Sequence, residues 1–282
     1  MIRAAVLALM GVPALVAALA ASPALADPFD GVVAAHPDFS GAVLVEKDGA
    51  IVFDKAYGLA DEKRGIPNRT STSFHIGALS MLFTDLATQG LVDDRKLSLD
   101  NTAGQFLPGL APAARDLRVR DMIGGRDAAR HILLARIDAA ATGKPFADRA
   151  GAVLFASVWQ SGTGWDDGSL GADSRYAKGY DAAGHLVTPD WAAVLGADGV
   201  FTTTRDLLRW ADRHLPVPAP GQDGTRVGGD ALALDGEGNG FAAAVRLLRD
   251  SHVTVIVLCN HAGTPVDGIA AALAGMAAKG TP

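Results

Sequence analysis

The polarity pattern divides the chain into short strand-like runs and longer helical stripes. Ala42-Val43-Leu44-Val45 and Ile51-Val52-Phe53 favour strands, and Asp48-Gly49 between them is a turn pair, so Ser40–Gly58 reads as a β-hairpin. Leu79, Leu82, Phe83 and Leu86 fall at i, i+3, i+4 and i+7. That spacing predicts an amphipathic helix from Ala78 to Gln89, stopped by Gly90. Ile132–Ala141 predicts a second helix. Thr203, with Asp206 three residues on, resembles a capping box that opens a third over Arg205–Leu215. Leu215–Gly229 is rich in proline and glycine and reads as a loop or linker. Two strands follow, around Ala242–Leu248 and Val253–Cys259, and then a helix over Ile269–Lys279. Strands near both ends with helices between them predict a mixed α/β sandwich whose sheet is assembled from both termini.

Residues 1–26 form a different kind of segment. Arg3 supplies a charged start, Ala4–Ala20 an apolar run and Ala24-Leu25-Ala26 a small-x-small cleavage site, which together predict a secretory signal. The alternative is an uncleaved membrane anchor, against which Pro13, Ser22 and Pro23 argue. No later stretch is long and apolar enough to span a bilayer, so the processed form is expected not to be membrane-spanning. Residues 27–282 are expected to form one domain.

Composition narrows the partners. With 49% hydrophobic and 20% charged residues the chain is globular, and its net charge of −6 provides no electrostatic footprint for nucleic acid. The one cysteine, Cys259, sits at the end of the apolar run Val253–Leu258, where it reads as a packing residue. There is no His-Glu-x-x-His and no cysteine cluster, so neither a metal nor another cofactor has support in the sequence. Gly236-Glu-Gly-Asn-Gly240 superficially matches a dinucleotide fingerprint. No helix follows it, and it reads as a hairpin loop. Trp159, Trp165 and Trp191 read either as core residues or as the lining of a ligand groove.

A succession of motifs resembles the β-lactamase-related family, which includes class C β-lactamases, D-Ala-D-Ala carboxypeptidases, penicillin-binding proteins and esterases. They are Phe39-Ser-Gly-Ala-Val-Leu-Val45, Ala56-Tyr-Gly-Leu-Ala-Asp61, Phe74-His-Ile-Gly-Ala-Leu-Ser80, Phe106-Leu-Pro-Gly-Leu110, Thr142-Gly-Lys-Pro-Phe146, Lys178-Gly-Tyr180 and Gly199–Leu207. The resemblance implies a β-lactamase/transpeptidase-like fold, an antiparallel sheet from both chain ends flanked by helices. It also implies a serine nucleophile at the start of a helix with a lysine one turn later, both on one helix face.

At those places the chain departs from the family. Ala78 stands at the nucleophile position and Met81 at the lysine position. Family members carry Tyr-x-Asn before a following helix; the matching positions here are Arg126 and Ala128. Leu234 stands where Lys-Thr-Gly or His-x-Gly places its cation. Met122-Ile-Gly-Gly125 runs almost directly into Arg126, so a reduced helical lobe is expected. Ser80 lies two residues past Ala78, about 200° around a helix, and its i+3 residue is Phe83. The expectation is an exported, non-catalytic binding or regulatory pseudoenzyme, with an esterase or peptidase using a relocated nucleophile as the alternative. A small molecule, a cell-wall fragment and a periplasmic protein remain open as partners.

Overall fold

A computed structural model describes residues 27–156, 162–170, 173–215 and 231–280. The expected signal over residues 1–26, most of the Leu215–Gly229 loop and Trp159 lie outside them.

The hairpin forms as β1 (Gly41–Lys47) and β2 (Ala50–Tyr57). Asp48 and Gly49 between them both take positive φ, 51° and 79°, the turn hand that matches strand twist. A five-stranded antiparallel sheet then draws on both halves of the chain, in the order β2-β1-β10-β9-β8. The late strands are β8 (Ala231–Gly238), β9 (Phe241–Leu248) and β10 (Val253–Cys259). β1 pairs with β10 from Gly41↔Cys259 to Lys47↔Val253. Every residue of β10 is buried, which is why that strand reads as an unbroken apolar run rather than an alternating one.

Both faces of the sheet are covered. Val43, Val45, Val255 and Val257 pack against α1 (Pro28–Ala34) and α9 (Val266–Ala278), chiefly through Phe29, Ile269 and Leu273. Ala42, Leu44, Ile256 and Leu258 face the opposite core, which includes Leu82, Phe83 and Trp210. Two small strand groups adjoin it. β3 (Leu59–Asp61) pairs with β4 (Ile66–Pro67), while β5 (Phe74–His75), β6 (Gly164–Trp165) and β7 (Val200–Thr202) form a sheet in the order β5-β7-β6.

The helices are α2 (Ser80–Asp93), α3 (Pro112–Arg115), α4 (Val119–Met122), α5 (Ala128–Thr142), α6 (Phe146–Leu154), α7 (Trp191–Val194) and α8 (Thr204–His214). A separate core of Leu91, Val119, Met122, Leu133, Leu134 and Ile137 holds α2, α4 and α5 together. The predicted α2 stripe is buried at Leu79, Leu82 and Phe83. Its predicted end is wrong. The helix continues through Gly90, and the residue that turns left-handed is Arg95, φ 60°. A glycine in a partly buried turn lowers helix propensity without ending the helix when later residues remain packed, as Leu91 does here. α8 starts as expected, with Thr203 Oγ1 accepting from Asp206 N at 3.1 Å.

The polarity pattern does not show β8, and only the resemblance, which matches Leu234-Asp235-Gly236 to an element on an inner strand, points to a strand there. The expected glycine loop over residues 236–240 contracts to Asn239-Gly240, both at positive φ, and Gly236 and Gly238 belong to the strand. No helix among the described residues is long and apolar enough to cross a membrane.

Candidate functional site

Strand β8 and the start of α2 meet backbone to backbone. A single 3₁₀ turn, Gly77–Leu79, precedes α2. A Cβ on Gly236 would lie 2.3 Å from Leu79 N and 2.4 Å from Ile76 O, and one on Gly77 would lie 2.6 Å from the carbonyl carbon of Glu237. Gly77 also needs its left-handed backbone, φ 56°. Only glycine at these places lets the edge strand reach the turn that carries Ala78.

The four positions singled out in the sequence gather around this junction. Ala78 is partly exposed on the turn, Met81 is buried one helical turn on, and Leu234 is buried on β8. Arg126, just before α5, reaches across to Asp235, the neighbour of Leu234. Its Nη1 lies 3.1 Å from Asp235 Oδ2, and its Nη2 lies 3.3 Å from the Asp235 carbonyl oxygen and 3.4 Å from Oδ1. One guanidinium therefore grips both the side chain and the backbone of the edge strand. Both side chains are about half exposed, so the contact sits at the surface of the junction.

Beneath the turn lies a polar floor that the sequence reading did not find. Ser80 is fully buried, and its hydroxyl accepts from Val200 N at 3.2 Å. Asp198 accepts from Gly199 N at 2.6 Å and from Asn239 Nδ2 at 2.8 Å. Burial pushes the Asp198 carboxyl above its usual range, and the hydrogen bonds and nearby His75 only partly offset that effect. His75 is itself buried, with Nε2 3.2 Å from Asp166 Oδ2 and its ring stacked on Trp191 at 3.8 Å. That pair borders a cavity of about 290 Å³ walled by Tyr176, Lys178, Leu186, Trp191 and Phe241. Of the tryptophans considered as groove residues, Trp191 lines this cavity, while Trp165 is buried against Phe146.

A second polar tie stands one turn further along α2. Asp85 Oδ1 lies 3.1 Å from His131 Nε2, Asp85 Oδ2 accepts from Gly124 N at 3.1 Å, and His131 Nδ1 lies 2.8 Å from the Asp127 carbonyl. Both ring nitrogens of His131 face acceptors, which suits the imidazolium form. A sequence signal existed: Asp85 falls at i+7 from Ala78 and i+4 from Met81, a carboxylate on the stripe that points inward. Cys259 is a buried free thiol on β10, in keeping with a packing role. Among the described residues no cluster of histidine, cysteine and carboxylate side chains could hold a metal.

Comparison with known proteins places this geometry. The Beta-lactamase family model matches residues 29–123, the stretch from α1 through α4. That stretch is similar to the β-lactamase family. The fold matches that of FmtA from Staphylococcus aureus, with TM-score 0.72 and 16% identity over 86% of this chain and 85% of that one. The penicillin binding protein from Bacillus halodurans superposes with TM-score 0.71 and 18% identity, covering 89% of this chain and 99% of that one. A class C beta lactamase from Rhodobacter sphaeroides gives 0.66 and 22%, covering 87% and 96%. Curated relatives match more locally. Esterase EstB of Burkholderia gladioli is 35% identical over 77 residues, 27% of this chain and 20% of that one. PbpX of Bacillus subtilis (strain 168) is 33% identical over 70 residues, 25% and 18% of the two chains. The chain therefore aligns with about a fifth of the length of these curated relatives.

Proposed function

We propose that the protein is an exported, non-catalytic member of this family, one domain from residue 27 onward with a shortened helical lobe, which acts as a binding or regulatory module. The observation that carries the reading is the junction itself. Ala78 and Met81 offer neither hydroxyl nor amine where the family's nucleophile and base belong. Arg126, at the tyrosine position, is tied to Asp235 on the strand edge against which a substrate would lie. Acyl transfer needs its nucleophile, base and leaving-group donor together, because members of such a set act as a unit. A relocated nucleophile draws no support from Ser80, whose hydroxyl is buried and already bonded to Val200 N. Export rests on the signal-like pattern of residues 1–26.

Intact-mass measurement tests both halves of this reading at once. Protein recovered from the periplasm and treated with a fluorophosphonate or a penicillin is expected to begin at Asp27 and to carry no adduct. A stoichiometric acyl adduct that disappears in Ser80→Ala would show a working relocated nucleophile and overturn the non-catalytic reading. A mass that retains residues 1–26 would overturn the processing.

A further inference from the structure

Outside the Ala78 junction the chain carries a recess of a different chemistry. It encloses about 350 Å³ and is lined by Thr70, Ser71, Arg175, Arg205 and Arg209, with Asp206 at its base. We infer that this recess binds a phosphate monoester. The inference is independent of whether the Ala78 junction is catalytic.

The argument starts with how the three guanidinium groups are held. Arg175 is brought beside the Thr70–Ser73 segment by backbone pairing. Ser73 N donates to the Arg175 carbonyl at 2.9 Å, and Ala177 N donates to the Ser73 carbonyl at 2.9 Å. Arg205 and Arg209 lie four residues apart on α8, one turn above the other. Each is steadied by a single carboxylate. Asp173 Oδ2 takes Arg175 Nε and Nη2 at 2.9 and 2.7 Å. Asp54 Oδ2 takes Arg205 Nε and Nη2 at 2.7 and 2.6 Å. Asp206 Oδ1 takes Arg209 Nη1 at 2.8 Å. Among the described residues that leaves Nη1 of Arg175, Nη1 of Arg205, and Nε and Nη2 of Arg209 without a protein acceptor.

Those donors suit an oxyanion. Guanidinium groups fixed by a carboxylate lose little further freedom when they bind, and their remaining N–H groups make the stronger, charge-assisted kind of hydrogen bond. Of the three steadying carboxylates, neither Asp54 nor Asp173 lines the recess. Asp206 does, but its Oδ1 is taken by Arg209 and its Oδ2 by the Thr163 hydroxyl at 3.0 Å. The recess wall thus holds three cations against one carboxylate. Thr203, the N-cap of α8, is also in the wall, so the positive end of that helix adds to the same field. The free Nη1 groups of Arg175 and Arg205 and the free Nε/Nη2 fork of Arg209, on two separate segments, match the three oxygens of a phosphate better than the two of a carboxylate. The volume exceeds what phosphate alone fills, and Thr70 and Ser71 in the lining suit the hydroxyl groups of an esterified sugar-sized body.

The experiment is a calorimetric titration of the full chain, at low ionic strength, with glucose 6-phosphate, inorganic phosphate and glucose. The ester and inorganic phosphate are expected to bind saturably and glucose not to bind. Arg175→Gln and Arg209→Gln are each expected to weaken the ester by about tenfold or more. Arg64→Gln, an exposed arginine elsewhere, is expected to leave binding unchanged. The Arg175 side chain bonds only to Asp173 and lies over the Tyr176 ring, so its variant remains informative if Arg209→Gln fails to fold. Absence of saturation by the ester, affinity unchanged in Arg175→Gln, or equal weakening by Arg64→Gln would overturn the site.

Discussion

Ser80 and Arg126 show how burial decides what a polar side chain contributes. The Ser80 hydroxyl is the acceptor for a buried backbone N–H, that of Val200, and Ser80 itself has no exposure. Removing it strands that donor, so Ser80→Ala is expected to cost about 1–3 kcal/mol of unfolding free energy. Arg126 makes three contacts with Asp235, but at the surface, where water replaces either partner. Arg126→Ala is therefore expected to change stability by less than about 1 kcal/mol, even though it opens the edge of β8. Urea unfolding of the two variants beside the parent checks the contrast. A Ser80→Ala loss no larger than that of Arg126→Ala would mean that the Val200 N–H finds another partner.

Between elements, one contact that depends on pH is the tie from α2 to α5 through Asp85 and His131. Burial alone would lower the histidine's pKa, but the hydrogen bond to Asp85, the Asp127 carbonyl and the attraction of both carboxylates outweigh it, and the net shift is upward. A pKa raised in the folded state stabilises below the unfolded value, about 6.5, and that contribution is lost as pH rises through the folded value. Asp138, on the same helix, is pushed up to about 7 mainly by burial, against the pull of Arg149. It too weakens the fold as pH rises, but its effect is complete once pH passes that value. Stability is thus expected to fall as pH rises above about 6.5, and His131→Gln should flatten that part of the profile. A wild-type midpoint independent of pH over that range would refute the assignment. Asp85 left a trace in the sequence as a carboxylate on the inward stripe, but its meeting with His131, and that of Asp138 with Arg149, depends on helix angles that no periodicity reveals. What was legible is the material of the elements themselves. β10 shows as a seven-residue apolar run, the β1–β2 hairpin as an Asp-Gly turn, and α8 as a threonine cap. β8 was hidden for the opposite reason: its glycines, selected by the close approach to residues 76–79, erase the usual strand pattern.

For the whole molecule, the question is whether the fold stands one step or several from acyl-transfer chemistry. Ala78 and Met81 lie three residues apart, one on the turn and the other one residue into α2, so Ala78→Ser with Met81→Lys would restore a nucleophile beside an amine. The buried setting of Met81 would hold that amine more easily uncharged, which favours its action as a base. Two obstacles remain in the same junction. On the proposed correspondence Arg126 and Leu234 take the places of leaving-group protonation and the cationic clamp, and Arg126 bonds to Asp235 on the strand edge. A missing general acid alone costs on the order of 10²–10⁴ in rate, and poor substrate positioning adds to that loss. The double variant is accordingly expected to fold and to take up a fluorophosphonate slowly, without turning over p-nitrophenyl acetate above the rate of the parent protein. Adding Arg126→Tyr should accelerate labelling if the guanidinium is what blocks the edge. Multiple-turnover ester hydrolysis by the double variant would mean that neither Arg126 nor Leu234 occupies a position the chemistry needs.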